Sequence, residues 1–336
     1  MTHYTKGAGF RRVLLRIIAT ASLLPIIGSH AYAQGQGPSF ATNTVKIIVP
    51  YAAGGATDIV ARAISDKLAT QWSKSVIVEN KPGAGTTLAA AQVARMLGDG
   101  SSLYITTSAH TISASIYKKL DFNPVTDFAP LTLMVKVPLV LVVRPSLNVR
   151  TLQEFISYVK VNADKAAFAS PGNGTAQHLA GELFNTTAQT KMMHIPYKGD
   201  APAISDLLGG SVDAMFATLT AVLPHIASGK LTAIALANSS RVEKVPEIPT
   251  FNEAGMMGFE AATWFGVLAP ATMPHPLREQ ISKDIRIVVA QPEMRQKLID
   301  LGGEVVNNQP AEFQRFMQEE TTKWAQIIRM SGASVN

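Results

Sequence analysis

Short β-branched segments alternate with amphipathic helical patterns along most of this chain, and this alternation limits the possible folds more than any other feature of the sequence. The segments typical of strands are 45–49, 76–79, 103–107, 139–143, 167–169, 214–217 and 231–237. The helical patterns cover 58–72, 88–96, 152–161, 176–187, 201–208, 277–289, 292–300 and 310–330. Such alternation is typical of α/β proteins with parallel strands. We therefore predict an α/β fold with two mixed, mainly parallel sheets.

Two segments resemble places where a chain passes from one domain to another. Residues 137–145 form an apolar run with prolines near both ends, and residues 259–270 follow a proline-rich loop. A chain that leaves one domain and later returns to it makes that domain discontinuous. We predict a first lobe from residues 44–140 and 261–336, a second lobe from residues 141–260, and a cleft between them.

The first 33 residues have the features of a secretory signal peptide. Basic residues at Arg11, Arg12 and Arg16 precede an apolar run of about a dozen residues, and Ala31-Tyr32-Ala33 gives the small-x-small cleavage pattern. A membrane-spanning helix needs roughly 20 apolar residues, so a retained anchor is the weaker alternative. We predict a periplasmic protein that is cleaved after Ala33.

Removal of this signal lowers the net charge of the chain. The signal carries the basic residues Lys6, Arg11, Arg12 and Arg16 and no acidic residue, so the formal charge falls from +6 to +2. No cluster of Lys and Arg remains, and we expect no nucleic-acid partner. The chain has no cysteine, so the exported protein must be stabilised by a large core rather than by disulfides. We expect a monomer.

The stretch VKIIVPYAAGGATDIVARAI, residues 45–64, joins a strand to a helix through a glycine turn. The first N–H groups of a helix lack internal partners and carry partial positive charge, so such a helix start favours an anion. In an open α/β sheet it also lies at the ligand-binding edge. A turn capped by its own Thr or Asp, with nothing bound, is equally compatible with this stretch. The candidate ligand contacts are Tyr51, Ala53, Gly54, Gly55, Thr57 and Asp58.

The stretch ASPGNGTAQHLAGELF, residues 169–184, repeats this pattern in the second lobe. Neither loop contains Lys or Arg, and neither matches the phosphate-binding or dinucleotide-binding glycine motifs. Two helix starts that face each other across a cleft would suit a small carboxylate held by neutral donors. For the histidine of this stretch, a packing role is the stronger alternative. The candidate contacts are Ser170, Gly172, Gly174, Thr175 and His178.

Three other stretches supply candidate pocket residues. Residues 106–110 end a strand and offer Thr107 and Ser108, which could equally cap a turn. Residues 194–216 offer Tyr197 and Phe216, together with Lys198, the cation nearest to the predicted cleft. Trp264 and Phe265, at the second crossing, fit the core better than a ligand platform.

No stretch of the sequence supplies a catalytic centre. The chain lacks a cysteine nucleophile, Ser170 is not part of a G-x-S-x-G motif, and the histidines lack the spacing of metal ligands. We therefore predict a binding protein with no catalytic residues, no metal and no cofactor. A periplasmic hydrolase of small esters or amides is the alternative from another class, and it would need a nucleophile beside a base.

Taken in order, these motifs resemble the Bug (TctC-like) family, the periplasmic receptors of tripartite tricarboxylate transporters. The resemblance rests on PYAAGGATD at 50–58, VIVENKPGAG at 76–85 and the second glycine loop. It continues with H-x-P-Y-K-G at 194–199 and P-x-x-P-T-x-x-E-x-G at 246–255, and it covers nearly all of the chain after the signal. The chain departs from the pattern at Ala52 and Ala53, where many relatives carry prolines.

The resemblance implies a two-lobed periplasmic-binding-protein fold, or Venus flytrap, in which the two glycine loops hold a ligand carboxylate, partly through ordered water. It implies a receptor that captures a small aliphatic or aromatic carboxylic acid and delivers it to the membrane permease subunits of a tripartite transporter. A membrane sensor kinase is the alternative partner. The resemblance implies the ligand class and leaves the individual acid open.

Overall fold

The computed structural model describes residues 42–335, so the predicted signal peptide lies outside the described residues. Within that range no helix combines the length and the apolar character needed to cross a membrane. The strands are β1 (Thr44–Val49), β2 (Ser75–Asn80), β3 (Ser102–Thr106), β4 (Phe128–Val143), β5 (Ala167–Ser170), β6 (Met193–Pro196), β7 (Ala214–Thr218), β8 (Thr232–Leu236), β9 (Ala262–Pro270) and β10 (Glu304–Val305).

These strands form one continuous path in the order β2-β1-β3-β9-β4-β7-β5-β6, with β10 and β8 also paired to β4. Parallel pairing occurs at the two ends of the path, between β1 and its neighbours β2 and β3 and between β5 and its neighbours β6 and β7. Strands β4 and β9 run antiparallel to all their partners. The sheet is therefore mixed, and the parallel strands are those that alternate with helices along the chain.

Strand β4 joins two halves of this sheet. Its residues from Phe128 to Pro138 pair with β9, and its residues from Leu139 to Val143 pair with β7 and β8. We call β1, β2, β3, β9, β10 and the start of β4 the first half-sheet, and β5 to β8 with the end of β4 the second half-sheet. The sequence patterns predicted only residues 139–143 of this strand. They missed the residues before them because Pro130 and Pro138 are unusual inside a strand. Lys136 is the single charged residue in this sixteen-residue strand.

The chain returns to the first half-sheet beside the point where it left. The N–H of Leu139 donates to the carbonyl oxygen of Ala261 at 3.0 Å, and the N–H of Ala261 donates to the carbonyl oxygen of Ala237 at 3.0 Å. Both passages between the half-sheets therefore lie side by side, within the segments that the sequence indicated as crossings.

The helices lie where the amphipathic patterns predicted them, and two further helices are present. The patterns gave no signal for α3 and α7, because each is short and follows directly on a strand. The helices are α1 (Ala56–Trp72), α2 (Thr87–Ala94), α3 (Ser108–Ile116), α4 (Leu152–Val161), α5 (Ala176–Ala188), α6 (Asp200–Gly209), α7 (Leu219–Ala227), α8 (His275–Ala290), α9 (Pro292–Asp300) and α10 (Pro310–Ser331).

Helices cover both faces of the sheet, and three buried apolar clusters mark the layers. One cluster runs across both half-sheets on a single face and includes residues of α1, α6, α7, α8 and α9. On the other face, α2 and the start of α10 pack on the first half-sheet, whereas α4, α5 and the end of α10 pack on the second. Burial of apolar side chains in such layers is the main favourable contribution to folding.

Helix α10 is anchored in the apolar clusters of both half-sheets. Phe313 lies in the cluster of the first half-sheet, and Trp324 lies in that of the second. Between them, Oε2 of the buried Glu320 accepts hydrogen bonds from the indole N–H groups of Trp264, at 3.1 Å, and Trp324, at 2.8 Å. Trp264 is only 2% exposed and packs against Phe313. It is therefore a core residue, as the sequence favoured.

Candidate functional site

The loop between β1 and α1 is shaped by glycine and by an acidic cap. Gly54 has a φ of +84°, in the left-handed region that favours glycine. Its N–H donates to Oδ2 of Asp58 at 3.0 Å, and the same oxygen accepts from Nε of Arg62 at 2.8 Å. Burial acts to raise the pKa of Asp58, but hydrogen bonds from Arg62, Gly54 and Asn80 outweigh it and hold that pKa below its usual value. Both carboxylate oxygens of Asp58 are thus engaged by Gly54, Arg62 and Asn80.

The start of α1 is not bare, because Asp200 from the start of α6 contacts it. Oδ2 of Asp200 accepts a hydrogen bond from the N–H of Ala56 at 3.1 Å. Gly55, the residue before α1, makes this approach possible, since a Cβ there would lie only 3.2 Å from that oxygen. The preference of the helix start for an anion is thus met in part by the carboxylate of the protein itself. The next N–H, that of Thr57, has no partner inside the helix.

A second contact between the two half-sheets lies near Asp200. The N–H of Ala52 donates to the carbonyl oxygen of Lys198 at 2.9 Å. The side chain of Lys198 is exposed. The backbone of this residue, rather than its ammonium group, therefore connects the loop after β6 to the loop after β1.

A third contact joins the segment after β2 to the loop after β5. The hydroxyl of Tyr117 lies 3.1 Å from the carbonyl oxygen of Ala84 and 3.2 Å from that of Asn173. Gly85 has a φ of +57°, and a Cβ added to it would overlap both the Asn173 carbonyl oxygen and the Tyr117 hydroxyl. The half-sheets therefore meet here with no room for a side chain.

The loop between β5 and α5 is held by its own side chains. Oγ1 of Thr175 donates to the carbonyl oxygen of Gly172 at 2.7 Å and accepts from the N–H of His178 at 3.3 Å, which caps α5. Oγ of Ser170 accepts from the N–H of Gly172 at 3.2 Å and lies 2.6 Å from Nε2 of His194. This serine is fully buried, so its pairing with histidine stabilises the loop and does not present a nucleophile to solvent.

A small cavity lies where the helix starts and the strand ends approach one another. Five of its lining residues come from the first half-sheet and its helices, and four come from the second. They comprise hydroxyl, amide, aromatic and carboxylate side chains, with no Lys, Arg or His. The lining residues are Tyr51, Thr57, Thr107, Thr263 and Phe265, with Pro171, Gln177, Asp200 and Thr218 facing them.

Most polar side chains of the cavity are paired with neutral neighbours. The hydroxyl of Tyr51 is 3.0 Å from that of Thr107. Nε2 of Gln177 donates to Oγ1 of Thr218 at 2.8 Å, and Oγ1 of Thr263 lies 3.1 Å from Oγ of Ser108. Burial raises the pKa of Tyr51 well above its usual value. The cavity therefore offers neutral donors at neutral pH.

The sequence-predicted contacts divide into those at the cavity and those away from it. Tyr51, Thr57 and Thr107 line the cavity, and Ser108 supports it through Thr263. Ala53 and Gly54 are exposed on the first loop. Tyr197 donates its hydroxyl to Asp206 at 2.7 Å. Six others lie behind the cavity wall or in the loops that shape it: Gly55, Asp58, Ser170, Gly172, Gly174 and Thr175.

Phe216 and His178 lie in packed surroundings. Phe216 is fully buried among Phe168, Phe184, Phe251 and Phe259, in the core of the second half-sheet. His178 stacks on His194 with ring centroids 4.1 Å apart. Burial lowers the pKa of His178 to about 4, and burial together with His178 lowers that of His194 to about 3. Both rings are therefore neutral at physiological pH.

His178, Glu182 and His194 bring three metal-ligating side chains within 4.8 Å of one another. Nδ1 of His178 accepts a hydrogen bond from the N–H of Gly174 at 3.3 Å. In a neutral ring, Nε2 then carries the proton, and it lies 3.8 Å from Oε1 of Glu182. A protonated nitrogen has no free lone pair for a metal ion, so this arrangement does not suit one.

Sequence reasoning missed Asp200, Gln177, Thr218 and Thr263 as cavity residues. Asp200 is the first residue of α6, where an acidic side chain is usual because it stabilises its own helix. Thr218 and Thr263 lie at a strand end and inside a strand, positions that carry no sequence signal for ligand contact. Only the pairing of β4 with β7 and β9 brings these residues to one place.

The chain matches the model of the "Tripartite tricarboxylate transporter family receptor" over residues 60–333. It is 31% identical over 320 residues to the protein BugT of Bordetella pertussis, with 93% of this chain and 98% of BugT covered. Its structure is similar to that of the periplasmic binding protein BugD, at a TM-score of 0.84 and 36% identity over 87% of this chain and 98% of BugD. MatC from Rhodopseudomonas palustris, solved with bound malate, gives a TM-score of 0.82 at 32% identity, over 86% of this chain and 100% of MatC.

These similarities confirm the two-lobed α/β fold that the resemblance implied. They also confirm a binding protein rather than an enzyme, which removes the hydrolase alternative. The residues matched by the family model include both crossings, the second glycine loop and most of α1. The chain belongs to the tripartite tricarboxylate transporter receptor family of periplasmic solute-binding proteins.

Proposed function

We propose that this protein captures a small carboxylate in the cavity between its half-sheets and delivers it to the membrane permease of a tripartite tricarboxylate transporter. The single observation that carries the proposal is a cavity built from both half-sheets, beside the start of α1, with no basic residue in its lining. The malate bound to MatC supports a carboxylate as the ligand class.

The ligand carboxylate would lie near the N–H of Thr57 and the hydroxyl groups of the cavity. Hydrogen bonds to a charged acceptor contribute about 1.5–3 kcal/mol each, whereas association costs about 4–15 kcal/mol. Three or four neutral donors would therefore give only weak binding to an open surface. Burial of the ligand between the half-sheets must supply the remainder.

We infer that binding shifts an equilibrium between an open and a closed form. The moving bodies would be residues 44–140 with 261–336, and residues 141–260. The hinges would be residues 137–145 and 258–266, since the two passages between half-sheets lie there, side by side. The closed form, with Ala52 against Lys198 and Ala84 against Asn173, would be the one that the permease recognises.

A thermal-shift screen of carboxylic acids tests this function. Aliphatic mono- and dicarboxylates, hydroxy acids, amino acids and aromatic acids should include at least one that raises the melting temperature. A ligand at about 100 times its dissociation constant stabilises the fold by roughly 2.7 kcal/mol. The amide of the same acid serves as the matched control and should give no shift. A stabilising amide or sugar with no effect from any acid would contradict the proposal.

We also propose that the protein is exported to the periplasm and that its signal peptide is cleaved after Ala33. The intact mass of protein released from the periplasm should correspond to a chain that begins at Gln34. A mass that includes residues 1–33 would contradict cleavage and favour a retained anchor.

A membrane sensor kinase is the alternative recipient of the closed form, and loss of uptake on deletion of the permease would favour transport over sensing.

A further inference from the structure

Asp200 lines the cavity with a carboxylate of which one oxygen has no hydrogen-bond partner among residues 42–335. Gly199, with a φ of +142°, and the start of α6 place this side chain opposite the loop that follows β1. Asp200 is only 5% exposed. Its Oδ2 is engaged by the N–H of Ala56, but its Oδ1 is buried without a hydrogen-bond partner among residues 42–335.

No basic side chain of the cavity balances this charge, which only the start of α1 offsets in part. None of its lining side chains is basic, and its hydroxyl and amide groups are largely paired with one another. Burial raises the pKa of Asp200 to about 6, against the hydrogen bond from Ala56. At pH 7.5 the carboxyl group is therefore still mostly ionised. A buried carboxylate of this kind requires a cation or a strong donor beside it.

The charge of the ligand must then complement Asp200. A dicarboxylate in the cavity would place three negative charges together, with no basic side chain to offset them. A zwitterion would place its own ammonium group between two carboxylates. The N–H groups of Ala56 and Thr57 are consecutive, so a carboxylate at the helix start would lie beside Asp200. A ligand with an amino group close to its carboxylate fits this arrangement.

We propose that Oδ1 of Asp200 is the subsite for a protonated amino group, and that the ligand of this protein is a small amino acid rather than a dicarboxylate. This rests on the proposed carboxylate-binding function and narrows its substrate class. Asp200 excludes plain diacids by repulsion, and it selects the amino group through a hydrogen bond between opposite charges.

Isothermal titration calorimetry at pH 7.5 with matched pairs of acids tests the subsite. The pairs are L-aspartate with succinate, L-glutamate with glutarate, and L-leucine with 4-methylpentanoate. In the wild type, at least one amino member should bind about 10- to 100-fold more tightly than its partner. Asp200→Asn retains an acceptor for the Ala56 N–H but removes the charge, so it should abolish that ratio. Asp66→Asn removes the same charge from the exposed surface of α1 and should leave the ratio unchanged.

The possible outcomes separate the two proposals. If succinate, glutarate or 4-methylpentanoate binds the wild type as tightly as its amino partner, or if Asp200→Asn retains the wild-type preference, the subsite is overturned and the carboxylate-binding function stands. If none of these six acids binds, the subsite is overturned, and the wider screen of carboxylic acids decides the proposed function separately. If Asp200→Asn does not fold, as judged by circular dichroism, the affinity ratios between amino acids and their matched acids in the wild type alone decide whether the subsite exists.

Discussion

Replacement of Gly85 by alanine should reduce ligand affinity by roughly 5- to 150-fold while the protein remains folded. The added Cβ would overlap the carbonyl oxygen of Asn173, which is backbone and cannot rotate away, as well as the hydroxyl of Tyr117. Overpacking of this kind costs about 1–3 kcal/mol. The strain of a left-handed alanine, about 1–2 kcal/mol, is the same in the open and closed forms and lowers only the overall stability. The overlap with the Asn173 carbonyl oxygen exists only where the half-sheets meet, so the open form avoids it, whereas the Tyr117 side chain can rotate away in either form. Apparent affinity falls in proportion to the population of the closed form.

Calorimetry with the best acid from the screen measures this loss, and small-angle X-ray scattering measures the opening. Gly229→Ala is the matched control, because Gly229 has a φ of +69° but no atom within 4 Å of an added Cβ. It shares the left-handed strain and lacks the overlap, so it should bind normally. Wild-type affinity in Gly85→Ala would show that the contact between residues 85 and 173 is absent from the bound form.

Replacement of Asp200 by asparagine should stabilise the ligand-free protein by up to about 3 kcal/mol at pH 8 and by much less at pH 4. Burial raises the pKa of Asp200 from its usual 3.8 to about 6, and this difference corresponds to about 3 kcal/mol. Between pH 3.8 and about 6 the carboxyl group of Asp200 is protonated in the folded state but ionised in the unfolded state. The free energy of unfolding therefore falls as the pH rises through this range, and the loss is complete above the folded-state pKa. Asparagine does not titrate and avoids this loss.

Urea unfolding of both proteins from pH 4 to pH 8 measures the effect. The difference in the free energy of unfolding between variant and wild type isolates Asp200 from the other titrating groups. Asp66→Asn, on the exposed face of α1, should give a difference that does not change across this range. A constant difference for Asp200→Asn as well would mean that its carboxylate is solvated in the ligand-free protein.

The sequence predicts what is local in this fold. Apolar periodicity and glycine turns correctly predicted a strand, a loop and a helix in the stretches 45–64 and 169–184. In each case the residues that specify the three elements lie within about 20 positions of one another. Strand β4 was recognised only in part, since its two prolines argue against a strand while its partners β9 and β10 lie far away in sequence. Pairing with distant strands overrides local propensity there.

The lining of the cavity was predictable to the same degree. Tyr51, Thr57 and Thr107 follow strands in the sequence, and all three line the cavity. Asp200 could not be recognised as their neighbour, because an acidic residue in the first turn of a helix has a sufficient local explanation. Its contact with Ala56 joins residues separated by 144 positions, and no spacing rule reaches that far.

The position of α10 has a consequence for regulation at a distance. This helix is held by Phe313 in the cluster of the first half-sheet and by Trp324 in that of the second, so the proposed closing motion would have to bend it, slide it or release one of its anchors. A change at either anchor can therefore alter the closing equilibrium without touching any ligand contact. In the proposed motion the C-terminal helix would act as a brace whose stiffness sets how readily the cleft shuts, and affinity could be tuned from that end of the chain.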